Sequence, residues 1–213
     1  MNDLSDPAID VYDNAMFIIA LDYLLEMAPD SPQASRWKSL REGIERNVRA
    51  HLWDVKRQKF IPHIYPEKSP IPEGFDELAI HYHGGTAIAI EAGLLSKDEI
   101  RTVNAQMLEN VRLSGMPSIG LTLYPVYPDG FFHGGMSKAY LYQNGGDWTW
   151  FGGRMIQQLV VNGMVEEAYA EIHPMIERVI QNDGFYEWYG KGGVPSGSGN
   201  FKGSAGVLSK AIE

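Results

Sequence analysis

The stretch VYDNAMFIIALDYLLEMA, residues 11–28, is apolar on nearly every face that a helix would present. A helix of that kind is buried on most of its sides. Pro29 ends it, and the following segment, residues 36–52, places apolar residues at three- and four-residue spacing among charged ones. That spacing is typical of an amphipathic helix at the periphery of a domain. The two segments together predict a helical hairpin with one inner and one outer helix.

The same order of segments recurs twice along the chain. A second apolar segment, residues 86–92, stops at Gly93, and a third occupies residues 148–161. An amphipathic helix follows each of them, and the one after Gly93 opens with a capping box at residues 96–99. Repeated hairpins predict an all-α fold of about seven helices, in one domain over residues 1–213, with long functional loops gathered at one end.

Composition excludes several classes of protein and partner. Hydrophobic residues make up 44% of the 213 residues, which is enough for a sizeable core, and the formal net charge is −9. Clustered Lys and Arg, which phosphate backbones require, are absent, so we expect no nucleic-acid partner. No apolar run could span a bilayer, and the acidic start MNDLSDPAID is no signal peptide. We therefore expect a soluble chain without a membrane partner, and we favour the cytoplasm.

One carboxylate stands among aromatic residues in the last of the long loops. Glu187 is the central residue of FYEWY, residues 185–189, and a stretch rich in Gly, Ser and Pro follows it. In one interpretation Glu187 is a general base, fixed by aromatic rings and facing a cleft. In the other it is an exposed carboxylate with aromatic rings packed beneath it. The pliable loop that follows is suited to wrap a ligand, and this favours the first interpretation.

A second candidate group precedes the third apolar segment, in YQNGGDWTW, residues 142–150. Its amides and carboxylate suit sugar hydroxyls, and its aromatic rings suit the C–H faces of a sugar. The alternative is that Asp147 only caps a helix while the tryptophans fill the core. The predicted substrate-binding residues are Tyr142, Gln143, Asn144, Asp147, Trp148, Trp150, Trp188 and His83.

Two histidines, His81 and His83, stand two positions apart. Helical metal sites favour spacings of three or four, and no third ligand is evident, so hydroxyl contact or packing is the preferred interpretation. The chain has no cysteine, which excludes disulfides and thiolate metal sites. We expect neither a metal nor a cofactor.

Taken in order, these motifs resemble the six-hairpin (α/α)6 glycosidases, which include glucoamylases, trehalases and the glucosidase part of glycogen debranching enzymes. The resemblance rests on the first hairpin with RWKSLREGIERNVRAHLWDVKRQKFIP, on YHGGTAIAIEAGLLSKDE, on YQNGGDWTW, and on FYEWY with GVPSGSGNFKGSAGVLSKAI. It implies a carbohydrate partner and inverting glycoside hydrolysis, with Glu187 as the catalytic base.

The chain departs from that family in two respects. Family members carry their general acid on a loop before the helix that resembles residues 11–28, and no matching motif precedes it here. Their toroid also needs twelve helices. We therefore expect the C-terminal half of a toroid, which would lack its acid and expose inner-helix surface unless a missing N-terminal half or a second copy covers it. Two alternatives stay open: a sugar epimerase or phosphorylase on the same toroid, and a non-catalytic carbohydrate-binding module.

Overall fold

Helices account for about half of residues 7–213, which are the residues that this computed structural model describes. Seven α-helices lie within them: α1 (Val11–Met27), α2 (Ala34–His51), α3 (His83–Glu91), α4 (Lys97–Ser114), α5 (Thr149–Val161), α6 (Val165–Gln181) and α7 (Lys202–Ile212). Two short antiparallel hairpins pair β1 (Trp53–Asp54) with β2 (Lys59–Phe60), and β3 (Trp188–Tyr189) with β4 (Pro195–Ser196). The predicted all-α fold is confirmed.

The helices form an inner row and an outer row. Helix α1 packs against α3, α3 against α5, and α5 against α7, while α2 lies on α1 and α6 lies on α5. Polar contacts tie the outer helices together, because Arg49 on α2 pairs with Glu99 on α4, and Asn104 on α4 binds Glu171 on α6. The predicted alternation of inner and outer helices is therefore present.

Local sequence signals explain where the helices begin and end. The side chain of Asp10 accepts a hydrogen bond from the backbone of Asp13 and caps α1. Ser96 and Glu99 form the predicted capping box at the start of α4. Gly93 follows α3 with a φ of 73°, a left-handed conformation that glycine adopts without steric cost. These signals are local, so the sequence alone is enough to predict them.

The helix bounds differ from the predictions by a few residues at two places. Helix α2 begins at Ala34, two residues before the predicted segment. Helix α3 begins at His83, three residues earlier than predicted. Helix α7 begins at Lys202, and the hydroxyl of its Ser204 donates to the backbone carbonyl of Tyr186, which ties α7 to the loop that carries Glu187.

A continuous apolar core lies between the two rows, and it includes Ile18, Ile88, Met155 and Leu159, all fully buried. One face of α1 stays outside this core. Its Phe17, Tyr23, Leu24 and Met27 are 48%, 53%, 37% and 73% exposed. Inner-helix surface of this kind was expected from the sequence.

The loops at one end of the inner row are joined by isolated β-bridges. These bridges pair Ile9 with Ile64, His81 with Tyr124, Leu121 with Asp147, and Asp147 with Tyr189. Segments far apart in sequence thus meet beside the start of α1. Within residues 7–213 no helix is both long enough and apolar enough to cross a membrane.

Candidate functional site

A cavity of about 450 Å³ opens where the start of α1 meets the joined loops. Aromatic rings supply much of its wall, and polar groups converge on it from several segments. The aromatic residues are Tyr65, Tyr82, Tyr127, Phe131 and Phe132, and the polar ones include Asp10, Asp13, His63 and Gln143. A concave site with apolar walls and a few convergent polar groups is typical of small-molecule binding.

Glu77 organises one wall of this cavity. Its Oε1 atom accepts hydrogen bonds from the hydroxyls of Tyr127 and Tyr65, at 2.5 Å and 2.8 Å, and lies 2.8 Å from Nδ1 of His63. Burial disfavours the ionised carboxylate, but the hydrogen bonds from His63, Tyr127 and Tyr65 outweigh it, so the pKa of Glu77 lies below its ordinary value. Glu77 is therefore a carboxylate at neutral pH, and it orients three side chains that line the cavity.

The phenol groups of Tyr82 and Tyr127 stay protonated. Burial raises the pKa of Tyr82, and burial together with the hydrogen bond to Glu77 raises the pKa of Tyr127. Tyr127 also packs face to face with Phe131, with ring centroids 4.7 Å apart. These rings form a rigid wall that can take up the apolar face of a ligand.

Two carboxylates stand at the start of α1. Asp10 caps the helix, and both Asp10 and Asp13 line the cavity. Burial raises the pKa of Asp10 above its ordinary value, although the backbone hydrogen bond from Asp13 acts in the opposite direction. Asp10 thus holds a proton more readily than an exposed aspartate.

Glu187, the predicted base, is half-buried and is not among the residues that line the cavity. Its backbone N–H donates to the carbonyl of Ser198, and Ser198 N–H reaches its Oε2 atom at 3.3 Å. The loop after β4 thus folds back over the carboxylate. The catalytic role of Glu187 stays a prediction.

Aromatic rings pack together near the segment that carries this carboxylate. Trp188 meets Tyr142 edge to face at 6.2 Å, and Tyr142 meets Trp148 at 4.9 Å. Gln143, next to Tyr142 in sequence, lines the cavity. Trp150 lies under the guanidinium of Arg154 at 4.4 Å. Of the predicted substrate-binding residues, the structure thus places Gln143 alone in the described wall of the cavity.

Three of the predicted substrate-binding residues are buried and bonded within the protein. Asn144 accepts from the backbone N–H of Tyr127 and donates to its carbonyl. Asp147 lies 2.8 Å from Arg178 as an ion pair, although the angle there is not that of a hydrogen bond. His83 is bonded to the Asn110 amide at 3.0 Å. Each contact gives the residue a structural role, and its contact with a substrate stays a prediction.

The histidine pair is not among the residues that line the cavity, and it lies next to Tyr82, which does line it. The rings of His81 and His83 stack with centroids 6.1 Å apart. Burial lowers the pKa of His81 to about 4 and that of His83 to about 3, so both are neutral at pH 7. Among residues 7–213, no group of three His, Cys, Asp or Glu side chains is arranged to hold a metal ion.

Sequence reasoning missed His63, Tyr65, Glu77 and Tyr127. They come from two loops, and Tyr127 lies 50 positions from Glu77. No motif spacing marks such a group in the sequence. The one available signal was the concentration of aromatic and polar residues in the two loops that the fold brings together.

Comparison with known proteins identifies solved structures with a similar fold. No protein-family model and no curated protein matches the chain. Among solved structures, GH63 mannosylglycerate hydrolase from Thermus thermophilus in complex with Tris and D-glycerate has a TM-score of 0.70 at 18% identity, over 96% of this chain and 45% of that one. The same enzyme in complex with glucose has a TM-score of 0.68 at 18% identity, over 96% and 48%.

A structure described as a sialidase also matches, with a TM-score of 0.63 and 12% identity, over 88% of this chain and 17% of that one. Sequence identities this low indicate a shared fold and nothing more. The chain spans less than half the length of the GH63 structures. It therefore has the fold of part of an (α/α)6 toroid glycosidase, which is the resemblance that its motifs indicated.

Proposed function

We propose that this chain binds carbohydrate in the cavity at the start of α1 and contributes Glu187 as the base of an inverting glycoside hydrolysis. The observation that carries the proposal is the cavity itself, walled by aromatic rings and polar groups at the loop end of a glycosidase fold. Aromatic rings pack on the C–H faces of a sugar, while carboxylates, amides and hydroxyls bind its hydroxyl groups.

The local surroundings of Glu187 support the role of a base, although the residue does not line the cavity itself. The carboxylate is half-buried, aromatic residues flank it in sequence, and the Gly197–Ser198 backbone shields one side of it. In the proposed step Glu187 takes a proton from water while the water oxygen bonds to the anomeric carbon. The bond from that carbon to the leaving oxygen breaks, and a general acid protonates the leaving oxygen.

The proposed hydrolysis also needs a general acid. From the sequence we expect it to lie outside these 213 residues, in a missing N-terminal half, so that the chain alone would not cleave ordinary glycosides. Glycosyl fluorides test the base separately, because fluoride leaves without needing an acid. The chain should then hydrolyse a suitable α- or β-glycosyl fluoride but not the matching methyl glycoside.

The experiment is a fluoride-release assay on glucosyl and mannosyl fluorides, with the product anomer read by proton NMR. Wild type should release fluoride with inversion, and Glu187→Gln should lose at least about a hundredfold in rate, which is the lower range for a general base. Fluoride release that is equal in both proteins would overturn the role of Glu187. Hydrolysis of methyl glycosides by the chain alone would overturn the expectation that the general acid lies outside these residues.

One observation favours a second candidate, a sugar epimerase or isomerase. The cavity holds a histidine, His63, whose Nδ1 lies against the Glu77 carboxylate, and such a pair can move a proton to or from carbon. Incubation of the chain with glucose or mannose in D₂O distinguishes the candidates. Deuterium at C2 of the sugar would support the epimerase, and an unlabelled sugar after prolonged incubation would count against it.

A further inference from the structure

We propose that His63, oriented by Glu77, accepts a hydrogen bond at Nε2 from a hydroxyl group of an uncharged sugar bound in the cavity. The inference rests on the proposed carbohydrate site, but it does not require hydrolysis or any role for Glu187. Neither His63 nor Glu77 stands out in the sequence, and the fold alone brings them together.

The Glu77 contact fixes which nitrogen of His63 faces the ligand. All the hydrogen-bond contacts of His63 with described residues involve Nδ1, and the shortest is the 2.8 Å contact with Oε1 of Glu77. An ionised carboxylate only accepts, so Nδ1 carries the proton in the neutral ring. Nε2 is then left with its lone pair, on a ring that lines the cavity.

The support behind His63 is strong enough to hold that tautomer. Glu77 is itself fixed by two tyrosine hydroxyls, and its side chain is only 10% exposed. The ring of His63 also lies between Tyr65 and Tyr82, with centroids 5.6 Å and 6.3 Å away. A side chain held by a bonded carboxylate and two rings is preorganised, so little freedom is lost when a ligand binds.

Charge selects the class of ligand. Among the described residues that line the cavity, Asp10 and Asp13 carry acidic groups, and none is Lys or Arg. Glu77 adds a further negative charge behind His63. A carboxylate or phosphate on the ligand would meet repulsion without a cationic partner. An uncharged sugar can instead donate its hydroxyls to Nε2 and to the two aspartates.

This selection differs from what the likeness to GH63 structures would suggest. One of the structures that resemble this chain holds D-glycerate, which is an anion. The described wall of the present cavity offers no arginine or lysine for such a group. We therefore infer that this site takes neutral sugars and discriminates against acidic ones.

The test uses the 213-residue chain, with D-glucose and D-glucuronate as probes at a pH of about 7.5, where the carboxylate of glucuronate is ionised. Titration calorimetry or NMR gives the dissociation constants, and long-range proton–nitrogen correlation spectra give the His63 tautomer. Wild type should show Nδ1 protonated, an Nε2 resonance that shifts on addition of glucose, and at least about tenfold weaker binding of glucuronate.

Variants separate a contact with the ligand from mere support of the fold. His63→Ala should weaken glucose binding about tenfold, the upper range for one hydrogen bond, and His63→Gln should recover part of the loss. Glu77→Gln should raise the Nε2-protonated population and weaken binding about threefold. The control is His51→Ala, which alters an exposed histidine at the end of α2 and should change nothing.

Any of three results would overturn this inference. His63→Ala could bind glucose as tightly as wild type, the Nε2 resonance could stay unchanged when glucose is added, or glucuronate could bind as tightly as glucose. Fluoride release that depends on Glu187 would then leave the proposed function standing. A wild-type chain that binds neither sugar would overturn both proposals.

Discussion

Gly197 lies directly against the carboxylate of Glu187. A Cβ atom built on Gly197 would be 2.5 Å from Oε2 and 2.8 Å from Cβ of Glu187. The glycine also has a φ of 71°, in the left-handed region that side chains disfavour. Only a glycine therefore fits at the place where the loop after β4 closes over the predicted base.

We expect Gly197→Ala to displace either the loop or the Glu187 side chain, since backbone and carboxylate cannot both stay in place. Fluoride release should fall by about tenfold or more, because small misplacements of a reacting group are costly. Gly193→Ala is the matched control, since Gly193 has a φ of 75° but nothing within 4 Å of an added Cβ. If both variants lose activity equally, then left-handed strain alone explains the effect and the close approach does not matter.

The buried pair of Arg178 and Asp147 predicts a large loss of stability when one partner is removed. The side chains are 6% and 0% exposed, and Arg178 also donates to the hydroxyls of Ser118 and Thr149. Arg178→Met would leave the buried Asp147 without its cationic partner, with only the Ser118 hydroxyl donating to it, and removing one member of a buried ion pair costs about 3–5 kcal/mol of unfolding free energy.

Urea denaturation at neutral pH measures this loss. The matched control is Arg112→Met, which breaks an exposed pair with Glu109 and should leave the midpoint unchanged. A midpoint for Arg178→Met close to that of wild type would show that Asp147 does not depend on this partner. Fluoride release by the same variant provides a second test. It should fall if the loops around β3 need this ion pair to keep their register.

Three pairs of residues show why part of the structure could be predicted from sequence and part could not. Helix starts such as Ser96 with Glu99 are local, so short spacing was enough to find them. Asp147 looked like a sugar ligand or a cap, but its partner Arg178 lies on α6, and no sequence pattern connects them. His63 and Glu77 meet only because distant parts of the loop between α2 and α3 fold together, so their pairing is a property of tertiary structure.

Replacement of Glu171 by an uncharged residue should make the protein more stable at alkaline pH. It is buried on α6, and burial raises its pKa to about 7, although the Asn104 amide donates to its Oε1 at 2.7 Å. Its other oxygen has no hydrogen-bond partner among the described residues. The folded protein therefore holds a proton that the unfolded chain releases near its ordinary pKa of 4.5, and stability from that proton is lost as pH rises through about 7.

Glu171→Gln carries no ionising group, so at a pH of about 8.5 it should be more stable than wild type by about 2–3 kcal/mol, while near pH ~4.5 the two should be equal. Urea midpoints at the two values of pH give the difference. Glu177→Gln, an exposed site on the same helix, is the control and should follow wild type. A constant offset between Glu171→Gln and wild type at both values would show that Glu171 does not titrate on folding.

The stacked histidines, His81 and His83, should give the free energy of unfolding the opposite dependence on pH, so that it falls as pH falls. The pKa of His81 lies at about 4 and that of His83 at about 3, against about 6.5 in an unfolded chain. Burial is the main cause, and the nearby Lys59, whose Nζ donates to the Ile80 carbonyl, acts in the same direction. Between about pH 6.5 and 4 the unfolded chain binds more protons than the folded one, so stability falls as pH falls.

Each histidine contributes up to about 1.4 kcal/mol per pH unit to that fall. His83→Gln removes one titrating group while an amide can still meet Asn110, so it should be less stable than wild type above about pH 7 but lose stability less steeply below about pH 6. The measurement is the free energy of unfolding at small steps of pH from about 7.5 to about 4.5, a range that spans the titration of unfolded histidine, with His51→Gln as the exposed control. If the curves of His83→Gln and wild type run parallel, His83 binds protons equally in the folded and unfolded chains, and burial does not keep its imidazole neutral. If they converge at low pH, the buried neutral imidazole is one reason that this fold unfolds in acid.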